Sequence, residues 1–183
     1  MPPKMTNDEI LKELREYEWN SNSIEEPDEM GTTAFMFALQ IENTQLINEL
    51  IKHPSTDIHA IDNLGCNAYW YATDFKSAYP LLQEKGVDIN RLNDKGQHFL
   101  IHAVWMDSMA LEPYEEPVVS WHRIELAVNL GVDVDQIVQS IPLKEHFRNS
   151  CRDVLDKTII LKEKKLLSHL PKSNHPPKKI QKI

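Results

Sequence analysis

Apolar positions along this chain come in short helical bursts separated by polar turns. Residues 6–19 place Ile10, Leu11, Leu14, Tyr17 and Trp19 on one face. Thr6-Asn7-Asp8-Glu9 in front of them reads as a capping box, in which Thr and Glu satisfy each other's amides. A second amphipathic burst covers Gln45–Ile51, and a shorter one runs from Ser77 to Glu84 around Pro80. A further helix is expected over 118–129, with Pro117 at its first position, where proline is accepted. Beyond it, 144–169 forms either one helix or two shorter ones. Val154, Leu155, Ile159, Ile160, Leu166 and Leu167 supply the apolar face there.

Three stretches repeat. Asp28-Glu29-Met30-Gly31, Asp62-Asn63-Leu64-Gly65 and Asn93-Asp94-Lys95-Gly96 each lead, through one variable and one polar residue, into an apolar run closing on Ala38, Ala72 or Ala103. A second signature precedes the later units: Thr56-Asp57-Ile58-His59, Gly86-Val87-Asp88-Ile89-Asn90 and Gly131-Val132-Asp133-Val134-Asp135. Asp-x-x-Gly is a tight turn, because the carboxylate bonds nearby amides and Gly tolerates positive φ. Thr33, Asn67 and His98 stand where a helix cap belongs. Gly86 and Gly131 stand just past a helix, where a left-handed residue closes it. A unit of this kind cannot bury its apolar face alone, so neighbours must stack.

Residues 26–135 resemble ankyrin repeats, whose pattern is Asp-x-x-Gly-x-Thr-Pro-Leu-His-x-Ala, two helices, then Gly-Ala-Asp-Val-Asn. The family's Thr-Pro stands here as Thr33-Ala34, Asn67-Ala68 and His98-Phe99. The second unit looks about three residues short, a deficit the Pro80 segment places in its second helix. The resemblance implies an all-α, ankyrin-repeat-like solenoid of helix-turn-helix units with helical caps at both ends. Residues 1–25 would be the N-terminal capping helix and linker, 26–135 the three degenerate repeats, 136–170 the C-terminal capping helices and 171–183 a flexible basic tail. An acidic stretch, 107–117, interrupts the third unit between its helices; loops of that length are often functional.

Charge sharpens the picture. Residues 162–183 hold seven lysines against one glutamate, a net +6, while the remaining 161 residues carry 13 basic and 27 acidic side chains, a net −14. An acidic body repels nucleic acid and steers basic partners toward it. The Lys-rich end offers a second use, as a tether to nucleic acid or to an acidic membrane. No apolar run approaches the roughly 20 residues that span a bilayer. The N-terminus carries acids where a signal peptide needs an apolar core, so a cytoplasmic protein is expected, or one delivered into a host cell.

Candidate chemistry is sparse. His98 and His102 have the i, i+4 spacing of a metal pair, but Phe99 stands where a metalloprotease needs Glu, and His98 occupies a cap position. Cys66 sits in a turn with no base arranged beside it, and with Cys151 it makes only two cysteines, expected reduced. No phosphate-cradling glycine loop occurs. Neither a cofactor nor a metal is expected, and catalysis is not.

The resemblance implies binding through turn tips and the exposed ends of inner helices. By position these are Met30, Thr32, Asn63, Leu64, Cys66, Asp94, Lys95 and Gln97 at the tips, and Ile41, Asp74, Phe75, Trp105 and Met106 at the helix ends. Tyr114 of the inserted stretch joins them. Trp and its apolar neighbours are typical interface anchors. The expected function is therefore a protein-interaction module that blocks or scaffolds a basic protein. An inhibitor of the immunity type is one version of that reading. An adaptor tethered by the lysine tail is a rival, and an enzyme using His102 or the 107–117 stretch is another.

Overall fold

A computed structural model describes residues 4–103, 121–140 and 145–168; past residue 120, side chains are described for 122–137, 156 and 158–168. Helix α1 (Asn7–Glu16) is followed by α2 (Ala34–Gln40) and α3 (Thr44–Leu50). A 3-10 turn (Ala68–Trp70) and α4 (Phe75–Glu84) come next. Helix α5 is described over 99–103, and α6 (Trp121–Asn129), α7 (Val134–Ser140) and α8 (Glu145–Ser168) complete the described elements. The architecture is an all-α, ankyrin-repeat-like stack of helix-turn-helix units, with α1 against α3 at one end and α8 against α6 and α7 at the other.

The capping box at Thr6 forms: its hydroxyl accepts from Glu9 N, and the Glu9 carboxylate accepts from Thr6 N at 2.8 Å. Ile10 and Leu14 of α1 are buried, but Tyr17 is not on the inner face. The helix ends at Glu16, and Glu18 turns left-handed (φ 68°), which throws Tyr17 outward and brings Trp19 in against Phe37.

Three turns are built identically. The Oδ1 of Asp28, Asp62 and Asn93 each accepts two amides, two and four residues on, at 2.8–3.0 Å. The second and third turns each donate a hydrogen bond to the one before: Asn63 N to Met30 O at 3.0 Å, and Asp94 N to Leu64 O at 2.9 Å. This close approach leaves no room for a side chain at the glycines. A Cβ on Gly31 would lie 2.7 Å from Asn63 N, and one on Gly65 would lie 2.9 Å from Asp94 N.

The opposite edge of the stack is tied by the second signature. Asp88 and Asp133 each cap their own turn, and Asn90 reaches the next unit by donating to Gly131 O and accepting from Asp133 N. Gly86 and Gly131 adopt φ 73° and 104° just past α4 and α6, as the left-handed closing role requires.

The deficit in the second unit lies elsewhere than expected. Its second helix, α4, is intact over 10 residues and accommodates Pro80. Its first helix is what shrinks, to a three-residue 3-10 turn. The cap of the second helix follows the glycine by 12 residues in unit 1 (Gly31 to Asn43) and by 9 in unit 2 (Gly65 to Asp74). The aromatic and β-branched run Tyr69-Trp70-Tyr71-Ala72-Thr73 is also a weak helix former.

At the C-terminal end, 145–168 is one helix, and its buried side differs from the expectation. Thr158 is buried and Leu161 half-buried, whereas Ile159, Ile160, Leu166 and Leu167 face outward. Lys165 Nζ reaches Val128 O at 3.1 Å, closing the carbonyl end of α6 with a positive charge. The 107–117 stretch, Pro117, Ile141-Pro142-Leu143 and the tail beyond Ser168 lie outside the described residues.

Alanine substitutions separate backbone strain from close approach. Gly96, with φ 71° and nothing within 4 Å of its would-be Cβ, should lose about 1–2 kcal/mol as Gly96→Ala. Gly65→Ala adds overpacking against Asp94 and should lose about 2–4 kcal/mol. Urea unfolding of both variants checks the order; equal losses would mean that the turns do not depend on close approach.

Candidate partner-binding groove

The ladder of turns sets Met30, Leu64 and Lys95 in one row. Met30 is 57% exposed and Leu64 45%, with Glu29 and Asp94 exposed beside them. Asn63 is exposed, yet its amide and side chain bond Met30 O and Glu29 O, so it also holds the row together.

Two tip residues turn out to face inward. Thr32 is buried, with its hydroxyl 3.3 Å from the Tyr71 hydroxyl, which in turn donates to Asp62 Oδ2 at 2.7 Å. Cys66 is buried as well, and burial together with the Asp62 carboxylate pushes its thiol up to about 12. A thiol held protonated in that way is not a nucleophile, and Cys66 lines the floor of the groove behind the tips. At both positions the backbone amide is held by the turn's own Oδ1, four residues earlier.

Behind the tips, the shortened turn of unit 2 leaves a groove of about 450 Å3. Tyr69, Trp70 and Tyr71 form one wall, Leu64, Lys95 and Gln97 the tip side, and His102, Ala103 and Arg123 the far side. The Trp70 ring lies 5.3 Å from that of His102, and Trp70 Nε1 is buried with no hydrogen-bond partner among the described residues. His102 is exposed, yet desolvation by the side chains packed around its ring moves its pKa down from its ordinary value.

Arg123 on the far side was not legible as a site residue. Its guanidinium lies 4.7 Å from the Phe75 ring centroid and donates to Tyr79 Oη and to Thr73 O. A cation over an aromatic face is a stable place for a guanidinium. Phe75 is thus half-buried as the platform for Arg123. Ile41 is half-buried against the core, and Asp74 sits at the N-cap position of α4 without a side-chain cap bond. Trp105, Met106 and Tyr114 lie outside the described residues.

The His98–His102 pair is not a metal site. His98 is fully buried, its Nε2 donates to Ile89 O at 3.0 Å, and its Nδ1 accepts from Leu100 N at 3.2 Å. Both ring nitrogens are committed, so none remains for a ligand bond. Among the described residues, no group of three His, Cys, Asp or Glu side chains could hold a metal ion. Asn67 does the same work one unit earlier, accepting from Tyr69 N and donating to Asp88 O at 2.7 Å. The two caps converge on the adjacent carbonyls of Asp88 and Ile89.

No family model matches the sequence, and no curated protein matches it significantly. Among solved structures, the chain is similar to an ankyrin repeat domain from Acinetobacter baumannii AYE, at 20% identity over 85% of this chain and 94% of that one, with a TM-score of 0.40.

His98 gives the groove's supporting wall a pH dependence. Burial lowers its pKa from 6.5 to about 4, so the folded state binds the proton more weakly than the unfolded one. The stability from its neutral, bonded form is present above pH 6.5 and is lost as pH falls toward 4, at up to about 1.4 kcal/mol per unit. The stability difference between wild type and His98→Asn, measured by urea unfolding, should therefore shrink as pH drops from 7.5 to 4.5. A constant difference would show that His98 does not fold as the neutral ring.

Proposed function

We propose that this chain is a protein-binding module and works without catalysis. The observation that carries the reading is the row of exposed apolar tips, Met30 and Leu64, beside an aromatic-walled groove on an acidic body. Apolar side chains at the rim of a groove supply affinity by leaving water, at roughly 25 cal/mol per Å2 buried. The body through Ser168, with 16 basic and 28 acidic side chains and a net −12, speeds the approach of a basic partner and makes that approach salt-dependent.

The partner is a basic protein, and the action on it is occlusion or scaffolding. An inhibitor of the immunity type is the occluding version, in which the tips and groove cover a functional surface of a toxin or defence factor. The adaptor reading loses part of its support: Lys162 bonds Asp135 Oδ2 at 2.6 Å, and Lys165 is tied to α6, so two of the seven lysines belong to the folded body. No described helix is long and apolar enough to cross a membrane.

The structure also changes which residues test the interface. Phe75 supports Arg123, so its truncation disturbs the fold; Met30 and Leu64 can be changed without that cost. Affinity capture from lysate should retain a basic protein on wild type and lose it on Met30→Asp/Leu64→Asp. Calorimetry with the captured protein should show at least about a tenfold weaker Kd for the double variant. Equal affinity for both would remove the tips from the interface and overturn the proposal.

A further inference from the structure

Among the described side chains of α8, one face is packed and the other is exposed. Thr158 is buried, Leu161 is half-buried, and Lys165 reaches the end of α6. On the other face Ile159, Ile160, Leu166 and Leu167 are 38%, 46%, 62% and 65% exposed. Solvent-facing helix positions are ordinarily polar, and the same segment supplies lysines on its flanks at 162 and 164. Four large aliphatic side chains on one outward stripe call for something that covers them.

Their spacing says what. Counted from Glu163, the four lie at −4, −3, +3 and +4. At 100° per residue, that places all of them within about 60° of Glu163, on a single stripe roughly 12 Å long. The pattern reads the same in both directions. A patch that is its own image under reversal matches a second, antiparallel copy of itself, which is the requirement of a two-fold interface.

We propose that α8 pairs with α8 of a second copy of this chain, antiparallel, about a two-fold axis at Glu163. Ile159 then meets Leu166 of the second copy, and Ile160 meets Leu167 of the second copy. Each contact occurs twice. The charges fit the arrangement at the edges. Lys164 is exposed beside the stripe and within reach of the other copy's Glu163 carboxylate, while Lys162 is already held by Asp135. At the axis itself the two carboxylates face each other, and that opposes association. An interface of one short stripe is also well below the standard size of about 1,600 Å2, so the dimer is weak.

The central glutamate makes the proposal testable in both directions. Sedimentation equilibrium of the full chain should show a concentration-dependent monomer–dimer exchange. Leu167→Glu should weaken it by at least about tenfold, and Glu163→Leu, which removes the repulsion and fills the seam, should tighten it by at least about tenfold. All four stripe side chains are exposed, so far-UV circular dichroism should be unchanged. Glu163→Cys should cross-link to its own mate on mild oxidation faster than Leu167→Cys, because only an axial position faces itself in an antiparallel pair. Wild type and Glu163→Leu that both stay monomeric to concentrations on the order of 100 μM would overturn the proposal. A dimer indifferent to both substitutions would overturn it as well. So would a monomer that co-sediments with phosphatidylserine vesicles until Leu167→Glu abolishes it, since the stripe would then meet a membrane.

Discussion

Everything in the stack hangs on how closely one turn approaches the next. The amide of Asn63 reaches Met30 O, and that of Asp94 reaches Leu64 O, only because Gly31 and Gly65 carry no Cβ. The same glycines take up positive φ, which lets the Oδ1 of the leading Asp or Asn collect two amides. One residue type thus solves two problems, and the turn tips become a hydrogen-bonded row with fixed spacing. Helices too short to persist alone are held by that row and by the core beneath it. The exposed tip side chains inherit their alignment from it.

The second tie lies under the groove. Asn67 and His98 approach the Asp88–Ile89 loop from adjacent units, each capping its own first turn while donating to one of the two neighbouring carbonyls. The turns that carry the groove are therefore tied by side-chain-to-backbone bonds. Arg123, seated on Phe75, adds a buried cation to the far wall of an otherwise acidic protein.

Much of this was written in the sequence. The turn motif, the caps at Thr33, Asn67 and His98, the left-handed glycines and the Thr6–Glu9 box are local, and local hydrogen bonding decides them. What could not be read there depended on partners far along the chain. Thr32 and Cys66 look like tip residues until the fold tucks them beneath the tip. Arg123 reads as a surface arginine until Phe75 and Tyr79 supply its platform. The three missing residues of unit 2 were legible, but Pro80 pointed to the wrong helix: a proline six residues into α4 is accommodated, while an aromatic run gives up its helix. In α8, apolar residues mark two faces, and only packing against α6 and α7 chooses between them.

The 3-10 turn of unit 2 bears on how the stack comes apart. In a linear array, each unit's survival is its own intrinsic stability plus what its neighbours lend it. A three-residue turn in place of a first helix supplies little of its own, so the middle unit leans on α4, the ladder and the shared carbonyls on either side. Losing either outer unit removes the support of the central one. Such an array does not fray unit by unit from its ends; its weakest member is also its coupling, and the repeats should melt as one block.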